Sequence, residues 1–264
     1  MSGRFTPSRY DERVLRLAVG VEPQDVARGG RVAGPLRVLI EDAPKPLHRW
    51  RLWRPGETLD AFLGRLDRHR SGRFALLAGP GSGDLVLRLT EPGGRRALVP
   101  RRVAVTGADP RILPIGLFPG TAASLPSRAT VVRGRVVTPD GVPVRWARIR
   151  AADDTGEDAG WAHGDDRGEF VLVVDLAENA LAPADDPLAV SITVTAVVPA
   201  PEPDPDDPLR PVVDPLWDLP VEPLPDDDAL AGRVELPGQT SFGPFPFDLP
   251  LGRETSLSIP LPIP

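Results

Sequence analysis

Short stretches of alternating apolar and polar residues recur along the first 105 positions and predict β-strands. The clearest covers 85–90, where Leu85, Leu87 and Leu89 share one face while Arg88 and Thr90 share the other. Turns rich in glycine and proline flank it, and the spacing of the stretches is typical of a β-sandwich. The predicted strands are Arg13–Gly20, Pro35–Ile40, Leu47–Trp53, Arg73–Ala78, Gly83–Thr90 and Arg101–Val105.

Two segments of this half depart from the strand pattern. Between Glu57 and His69, apolar residues recur at helical spacing (Leu59, Phe62, Leu63 and Leu66), which predicts one short helix crossing the sandwich. Residues 106–128 contain four prolines and three glycines but also five large apolar side chains between positions 112 and 118. Flexible linkers rarely contain large apolar side chains, because these favour burial. We therefore predict an ordered connector docked on one domain or between two.

The alternation returns after Thr130 and predicts a second sandwich. Its last strand, Leu188–Val198, places Val190, Ile192 and Val194 on one face, as expected for a half-buried antiparallel strand. A final edge strand is predicted at Thr255–Ile263, because prolines at every second position remove the amide donors from one edge. The other predicted strands are Val131–Thr138, Val144–Ala151, Ala159–His163 and Glu169–Asp175.

The last quarter of the chain is rich in proline and aspartate. Residues 199–264 hold 17 of the 34 prolines. Such a segment cannot donate evenly spaced backbone hydrogen bonds, so it predicts an extended arm and neither a helix nor a central strand. The predicted fold is therefore all-β, with two antiparallel β-sandwich domains and this arm. The predicted division is a tail at 1–9, a sandwich at 10–105, the connector at 106–128, a sandwich at 129–198 with 254–264, and the arm at 199–253.

The net charge of −6 conceals a gradient along the chain. Residues 1–127 carry 21 basic and 12 acidic side chains, whereas 199–264 carry 3 basic and 13 acidic ones. The arginines of the first half are scattered along strands at positions that should face solvent, a pattern that argues against nucleic-acid binding. The opposite charges predict that the arm docks on the basic N-terminal domain of its own chain or of a neighbouring copy.

The second sandwich resembles a known family. Residues 132–144 read Val-Arg-Gly-Arg-Val-Val-Thr-Pro-Asp-Gly-Val-Pro-Val, Ala147-Arg-Ile follows, and 165–172 read Asp-Asp-Arg-Gly-Glu-Phe-Val-Leu. This pattern is similar to the carboxypeptidase regulatory-like domain, a transthyretin-like β-sandwich, over residues 130–198. The resemblance implies a non-catalytic scaffold or adhesion module. The inserted residues 199–253 depart from the family pattern, which has a short connection there.

The residues that usually carry chemistry are sparse. Cysteine is absent, and the three histidines (His48, His69 and His163) lack metal-ligand spacing. Gly79-Pro-Gly-Ser-Gly83 lacks the lysine of a phosphate loop. Acidic loops at 153–158 and 165–166 leave a calcium site open, although aspartate in turns is the commoner explanation. We predict no catalytic residues, no metal and no cofactor.

Large apolar side chains in the arm are the candidate partner-binding residues. Trp217 lies in Asp214-Pro-Leu-Trp-Asp-Leu-Pro-Val-Glu222, where no local core is predicted, and an apolar anchor in an extended polar segment is typical of a docking peptide. Trp50 and Trp53 would instead form the platform of a carbohydrate-binding module. The predicted partner-binding residues are Trp217, Leu216, Leu219, Phe242, Phe245 and Phe247.

Together these observations predict a non-enzymatic structural or adaptor subunit of a multiprotein assembly. Its partners would be other protein subunits and copies of itself, with neither nucleic acid nor membrane involved. The first residues resemble no signal peptide, so we expect synthesis in the cytoplasm, with release as part of an extracellular particle such as a phage-tail-like contractile injection system. The alternatives are a regulatory or recognition subunit of a cytoplasmic enzyme complex, and a carbohydrate-binding module.

Overall fold

The computed structural model describes residues 16–42, 64–78, 84–106, 112–174, 187–201 and 214–263. Within these ranges, sixteen strands form four sheets, arranged as two sandwiches with separate apolar cores. The predicted all-β class with two sandwiches is confirmed. The predicted strand Leu47–Trp53 and the two tryptophans of the carbohydrate-platform hypothesis lie outside the described residues.

The N-terminal sandwich packs a four-stranded sheet, ordered β4-β5-β1-β8, against a five-stranded sheet, ordered β14-β7-β6-β2-β3. Alternating side chains such as Val21, Leu87, Val103 and Ile115 fill the space between them and are fully buried. The strands are β1 (Arg16–Asp25), β2 (Arg37–Asp42), β3 (Gly64–Arg65), β4 (Asp67–Arg68), β5 (Phe74–Ala78), β6 (Leu85–Thr90), β7 (Arg101–Val105), β8 (Ile112–Leu117) and β14 (Val221–Pro223).

The C-terminal sandwich packs a sheet ordered β11-β10-β13-β15 against a sheet ordered β12-β9-β16. Phe170 is the first inward residue after its turn, and its ring lies over Gly134, where an added Cβ would come within 2.2 Å of the ring. Glycine is therefore required at 134. The strands are β9 (Thr130–Val137), β10 (Arg148–Ala152), β11 (Asp158–His163), β12 (Glu169–Val174), β13 (Leu188–Ala196), β15 (Thr240–Leu249) and β16 (Glu254–Pro260).

The sequence analysis predicted antiparallel sheets, but three of the strand pairs are parallel. β8 runs parallel to β1, β14 parallel to β7, and β16 parallel to β9, in each case at the edge of its sheet. The remaining pairs are antiparallel. Each parallel strand arrives by a long connection and not by a hairpin, which is what parallel pairing requires.

The predicted helix is wrong over the part that the structure describes. Residues 64–68 form the short strands β3 and β4, whereas 57–63 lie outside the described residues. Leu66 sits between the two strands with 1% of its surface exposed, and its amide donates to the carbonyl of Val38. Pairing with β2 and β5 thus overrides the helical spacing of the leucines.

The predicted connector and arm both contain regular structure. β8 lies within 106–128 and explains its apolar residues, because Leu113, Ile115 and Leu117 are buried in the N-terminal core. Within 199–253, helix α1 (Asp227–Ala231) forms in a stretch without proline, between an Asp226 cap and Gly232 in the left-handed conformation. β15 accommodates Pro244 and Pro246 because it is an edge strand. Helix α1 therefore departs from the predicted extended conformation, whereas the edge strand β15 keeps it.

Candidate functional site

The strap, defined here as residues 214–232, lies along the seam between the two sandwiches. It covers the outer face of the sheet that contains β6, adds β14 to the free edge of β7, and then forms α1 against β8. The contact with β8 is close, since a Cβ at Gly116 would lie 2.5 Å from the carbonyl oxygen of Ala231. The strap therefore closes one side of the N-terminal sandwich, which protects a sheet edge.

Glu222 is the centre of the buried charge in this seam. Arg101 from the N-terminal sandwich contacts its Oε2 through Nη2 at 2.5 Å and Nε at 3.0 Å. Arg148 from the C-terminal sandwich lies 2.6 Å from Oε1 through Nη2, an ion pair without hydrogen-bond alignment. The three side chains are at most 4% exposed. One carboxylate of the strap thus joins guanidinium groups from both sandwiches.

The remaining donors of Arg101 bind the backbone around it. Nη1 donates to the carbonyl oxygens of Gly116 at 2.8 Å and Leu230 at 2.9 Å, and Nη2 donates to that of Ala229 at 2.9 Å. Two of these oxygens belong to α1, whose C-terminal carbonyls attract a cation. Arg101 therefore fixes β7, β8 and the strap to one another.

His163 on β11 occupies the same seam. Its ring stacks on Phe118 with centroids 3.9 Å apart, and its Nε2 lies 2.8 Å from the carbonyl oxygen of Gly232. Because a carbonyl oxygen only accepts, the neutral imidazole carries its proton on Nε2. The Nδ1 atom of His163 and the Nε atom of Arg148 have no hydrogen-bond partner among the described residues.

Burial and charge shift the pKa values of these groups in different directions. Burial, reinforced by Arg148 and Arg101, lowers the pKa of His163 well below its ordinary value of 6.5. Burial tends to raise the pKa of Glu222, but the two arginines outweigh it and the pKa is lowered. Burial lowers the pKa of Arg148, Glu222 counteracts this, and Arg101 adds to it. The seam therefore favours neutral histidine and ionised carboxylate.

A second buried cluster holds the beginning of the strap. Arg88 on β6 is 1% exposed, and its Nη1 contacts Oδ2 of Asp214 at 2.5 Å. Arg88 and Arg102 also both bind Glu41 of β2. The expectation that the strand arginines face solvent is thus wrong for Arg88, because the strap covers that face of the sheet.

The strap also binds the C-terminal sandwich through Asp218. The carboxylate accepts from Arg145 at 2.5 and 2.6 Å and from the indole nitrogen of Trp146 at 2.9 Å. Arg145 further donates to the carbonyl oxygen of Pro215. Trp146 thus lies at the seam, with 7% of the residue exposed and its indole nitrogen paired.

A direct bond between the sandwiches lies outside the strap. Arg96 contacts Asp165 at 2.8 Å and Asp166 at 2.7 Å. The hydrogen bond to Asp166 is the main cause that raises the pKa of Arg96. Asp165 Oδ1 also accepts from the amides of Arg167 and Glu169, and Asp153 caps its own turn in the same way. In the described part of the chain, no three His, Cys, Asp or Glu side chains group as metal ligands.

The six predicted partner-binding residues separate into two sets. Leu219 is buried in the strap, and Leu216 and Trp217 are half-buried in the turn before it. Phe242, Phe245 and Phe247 are also half-buried, but they lie on β15 and pack against the core of their own sandwich. The structure therefore does not bring the six together, and their binding of a partner stays a prediction.

The residues that the sequence reasoning missed are Arg101, Arg148, Glu222 and His163. One signal was available, because Arg101 shares its face of β7 with Val103 and Val105, which are both core residues. An arginine at a core-facing strand position indicates a buried partner. Nothing in the local pattern identified Glu222 as that partner, since the two are 121 positions apart.

Comparison with known proteins identified no relative at the sequence level. No family model and no curated protein matches the chain, so the resemblance to the carboxypeptidase regulatory-like domain stays a prediction. Solved structures include the TIE protein of Bacillus anthracis (7% identity, TM-score 0.27, 92% of this chain and 34% of that one) and the minor pilin GBS52 of Streptococcus agalactiae (9%, 0.25, 93% and 97%). A third is the shaft pilin SpaA of Lactobacillus rhamnosus GG, with 7% identity and a TM-score of 0.24, in an alignment that covers 95% of this chain and 100% of that one. At these scores the similarity carries no argument about function.

No helix among the described residues is long and apolar enough to cross a membrane.

Proposed function

We propose that this chain is a non-enzymatic structural or adaptor subunit of a multiprotein assembly. The observation that carries the proposal is the filled seam. Grooves between domains are common places for substrate pockets, yet here the strap occupies the groove with carboxylates bound to buried arginines. Because the strap fills the groove, it leaves no open pocket there among the described residues, and it fixes one domain against the other. This arrangement suits a subunit that holds partners in position.

The energetics of the seam support a fixed arrangement. Removing one partner of a buried ion pair costs about 3–5 kcal/mol, because the remaining charge stays desolvated. Glu222 alone bonds to both sandwiches, and Asp214 and Asp218 add further pairs on either side. Local opening of the seam would break several of these pairs together, which favours a fixed arrangement of the two sandwiches.

The narrower proposal is that the assembly is a phage-tail-like contractile injection particle, with this chain decorating its baseplate, cap or fibre. Small sandwich modules joined at a fixed angle suit such accessory positions. A tagged chain purified from its source cells should then migrate with sheath and tube subunits.

The test uses the strap itself. We expect Asp218→Asn to reduce incorporation of the tagged chain into the complex, because the carboxylate is 3% exposed and bound to Arg145. Asp248→Asn is the matched control, since that carboxylate is exposed in the same segment. A wild-type chain that purifies alone from its source cells, or that turns over a substrate, would refute the proposal.

A further inference from the structure

The two arginines of the seam differ in how completely the protein pairs them. Arg101 uses all five of its N–H donors, two toward the Glu222 carboxylate and three toward backbone carbonyl oxygens. Arg148 meets Glu222 through Nη2 at 2.6 Å without hydrogen-bond alignment, and its Nε has no hydrogen-bond partner among the described residues. Because the Arg148 side chain is only 4% exposed, bulk solvent does not satisfy that donor. The seam therefore contains one guanidinium group that is incompletely paired.

His163 places a second unpaired nitrogen beside this donor. Arg148 and His163 are directly opposite each other on β10 and β11, so their side chains leave the same face of the sheet with Cβ atoms about 5 Å apart. His163 is 2% exposed, and its Nδ1 has no hydrogen-bond partner in the described part of the chain, whereas its Nε2 is held by the carbonyl oxygen of Gly232. Two buried nitrogen atoms on neighbouring strands are thus available to one further group.

The buried charges around these two nitrogen atoms do not balance. Among the described residues, Arg148 of β10 and Arg101 of β7 are the charged groups that act on His163. Glu222 of β14 is the one carboxylate that pairs with both arginines. The aromatic ring stacked on His163 and the carbonyl oxygen bound to it add no net charge. Two positive charges therefore face one negative charge, and buried charge in excess favours the binding of an anion.

We propose that Arg148 Nε and His163 Nδ1 together bind one small monovalent anion such as chloride, and that its binding is coupled to protonation of the His163 ring. In the neutral ring the proton is on Nε2, so Nδ1 is an acceptor and repels an anion. When the ring takes up a proton from solvent, Nδ1 becomes a donor while Nε2 keeps its bond to Gly232. The Arg148 Nε–H and the new Nδ1–H then both donate to the anion.

The site links the seam to the ionic surroundings of the protein, which goes beyond the proposed structural function. A protonated ring alone would add a second uncompensated charge beside Arg148 and Arg101, and this favours opening of the seam. The bound anion offsets that charge and keeps the strap docked. Mild acid should therefore destabilise the seam less in chloride than in the salt of an anion too large to enter.

The first test is an NMR titration of the His163 ring in the wild-type chain, in sodium chloride and in sodium gluconate at equal ionic strength. We expect a higher titration midpoint in chloride, rising by up to about one pH unit for each tenfold increase in chloride concentration, because one anion binds with one proton. His69 is exposed and serves as the internal control, with the same midpoint in both salts. Signals of the two rings are assigned from His163→Gln and His69→Gln.

Bromide locates the site directly, because it can replace chloride and scatters anomalously. In wild-type crystals at acid pH, we expect an anomalous peak within hydrogen-bonding distance of Arg148 Nε and His163 Nδ1, and a weaker peak at pH 7.5. This measurement needs no substitution in the seam, so it is independent of whether a variant folds. Bromide bound only at other places would overturn the proposal.

His163→Gln tests the coupling to protonation. The glutamine amide can still donate to the carbonyl oxygen of Gly232 but does not titrate. The urea midpoint of wild type should be higher in chloride than in gluconate at pH 5.5, by more than at pH 7.5. In His163→Gln the difference between the two salts should be the same at both pH values, whereas His69→Gln should behave like wild type.

Two further results would overturn the proposal. One is a His163 titration midpoint that is equal in the two salts. The other is a ring that stays neutral in both salts until the protein unfolds. Neither result would affect the proposed structural function, which is tested by purification of the complex.

Discussion

The two described parts of the proline-rich C-terminal segment are held by opposite kinds of interaction. The strap at 214–232 is fixed by carboxylates bound to buried arginines, with Leu219, Ala229 and Leu230 as its buried apolar side chains. The following part, with β15 and β16, is held by apolar side chains on a sandwich core. One composition therefore serves two different modes of attachment. The mode is decided by whether the surface beneath is charged or apolar.

This difference determines how each part responds to perturbation. Ion pairs in a seam depend on complete pairing, because one lost partner leaves a desolvated charge. Apolar packing loses free energy in proportion to the area removed. The strap should therefore be sensitive to single charge changes and to pH, whereas β15 should be sensitive to side-chain volume. The predictions below test this contrast.

The largest effect is expected from Glu222→Gln. The substitution leaves Arg101 and Arg148 buried near each other without a carboxylate, and we expect it to lower the free energy of unfolding by about 3–5 kcal/mol. Urea denaturation followed by circular dichroism measures the change. Glu235→Gln, at an exposed position, should stay within about 0.5 kcal/mol of wild type. If Glu222→Gln and Glu235→Gln were equally stable, the carboxylate in the seam would contribute no more than one on the surface.

A smaller effect is expected from Phe245→Ala on β15. Its ring is half-buried against the core, so the loss should be about 2 kcal/mol, roughly half of that for a fully buried phenylalanine. Because no charge is involved, the loss should be the same in low and in high salt. Pro246→Ala, at the exposed neighbouring position, is the control. A salt-dependent loss at Phe245 would contradict apolar attachment.

His163 should make stability fall in mild acid. The folded protein holds the pKa of this residue well below 6.5, so below that pH the unfolded chain binds a proton that the folded chain does not. Stability is therefore full above pH 6.5 and decreases as the pH falls, by up to about 1.4 kcal/mol per pH unit. Glu222 does not contribute in this window, because its folded pKa lies below 4.5 and its contribution is lost only as the pH falls further.

The check is the difference between wild type and His163→Gln. The glutamine amide can still donate to the carbonyl oxygen of Gly232 but does not titrate. The difference in denaturation midpoint between wild type and variant should be smaller at pH 5.5 than at pH 7.5. His69→Gln, at an exposed position, is the control. An unchanged acid slope in His163→Gln would show that another group is responsible.

The smallest effect is expected from Trp217→Ala. The side chain is half-buried in the turn before β14, so we expect about 1 kcal/mol and folded sandwiches. The loosened turn should weaken the ion pairs of Asp214 and Asp218, and this weakening should be greater at high salt than at low salt. Hydrogen exchange of residues 214–223 in wild type and variant measures this. Unprotected amides there in wild type would mean that the strap is only a solvated spacer.

Much of the fold follows from local pattern in the sequence. Period-two alternation predicted strands such as Arg101–Val105 and Leu188–Val198, because one buried face per strand requires that spacing, and the structure has them at Arg101–Val105 and Leu188–Ala196. Prolines at 260 and 262 predicted a final edge strand, and β16 does lie at the edge of its sheet. The same local reasoning failed at residues 64–68, where strand pairing overrode helical spacing.

The charge gradient predicted that the acidic arm would dock on the basic N-terminal domain of its own chain or of a neighbouring copy, but not which residues would make the contact. Alternation made Arg88 a surface residue, and only the strap lying over it made that side chain buried. Likewise Arg101, Arg148 and Glu222 come from three distant segments, and Coulomb attraction carries no information about sequence separation. The sequence by itself determined which faces of the strands are apolar. Tertiary structure alone decided which charges share the seam, because desolvation depends on what covers a residue and not on its neighbours in the chain.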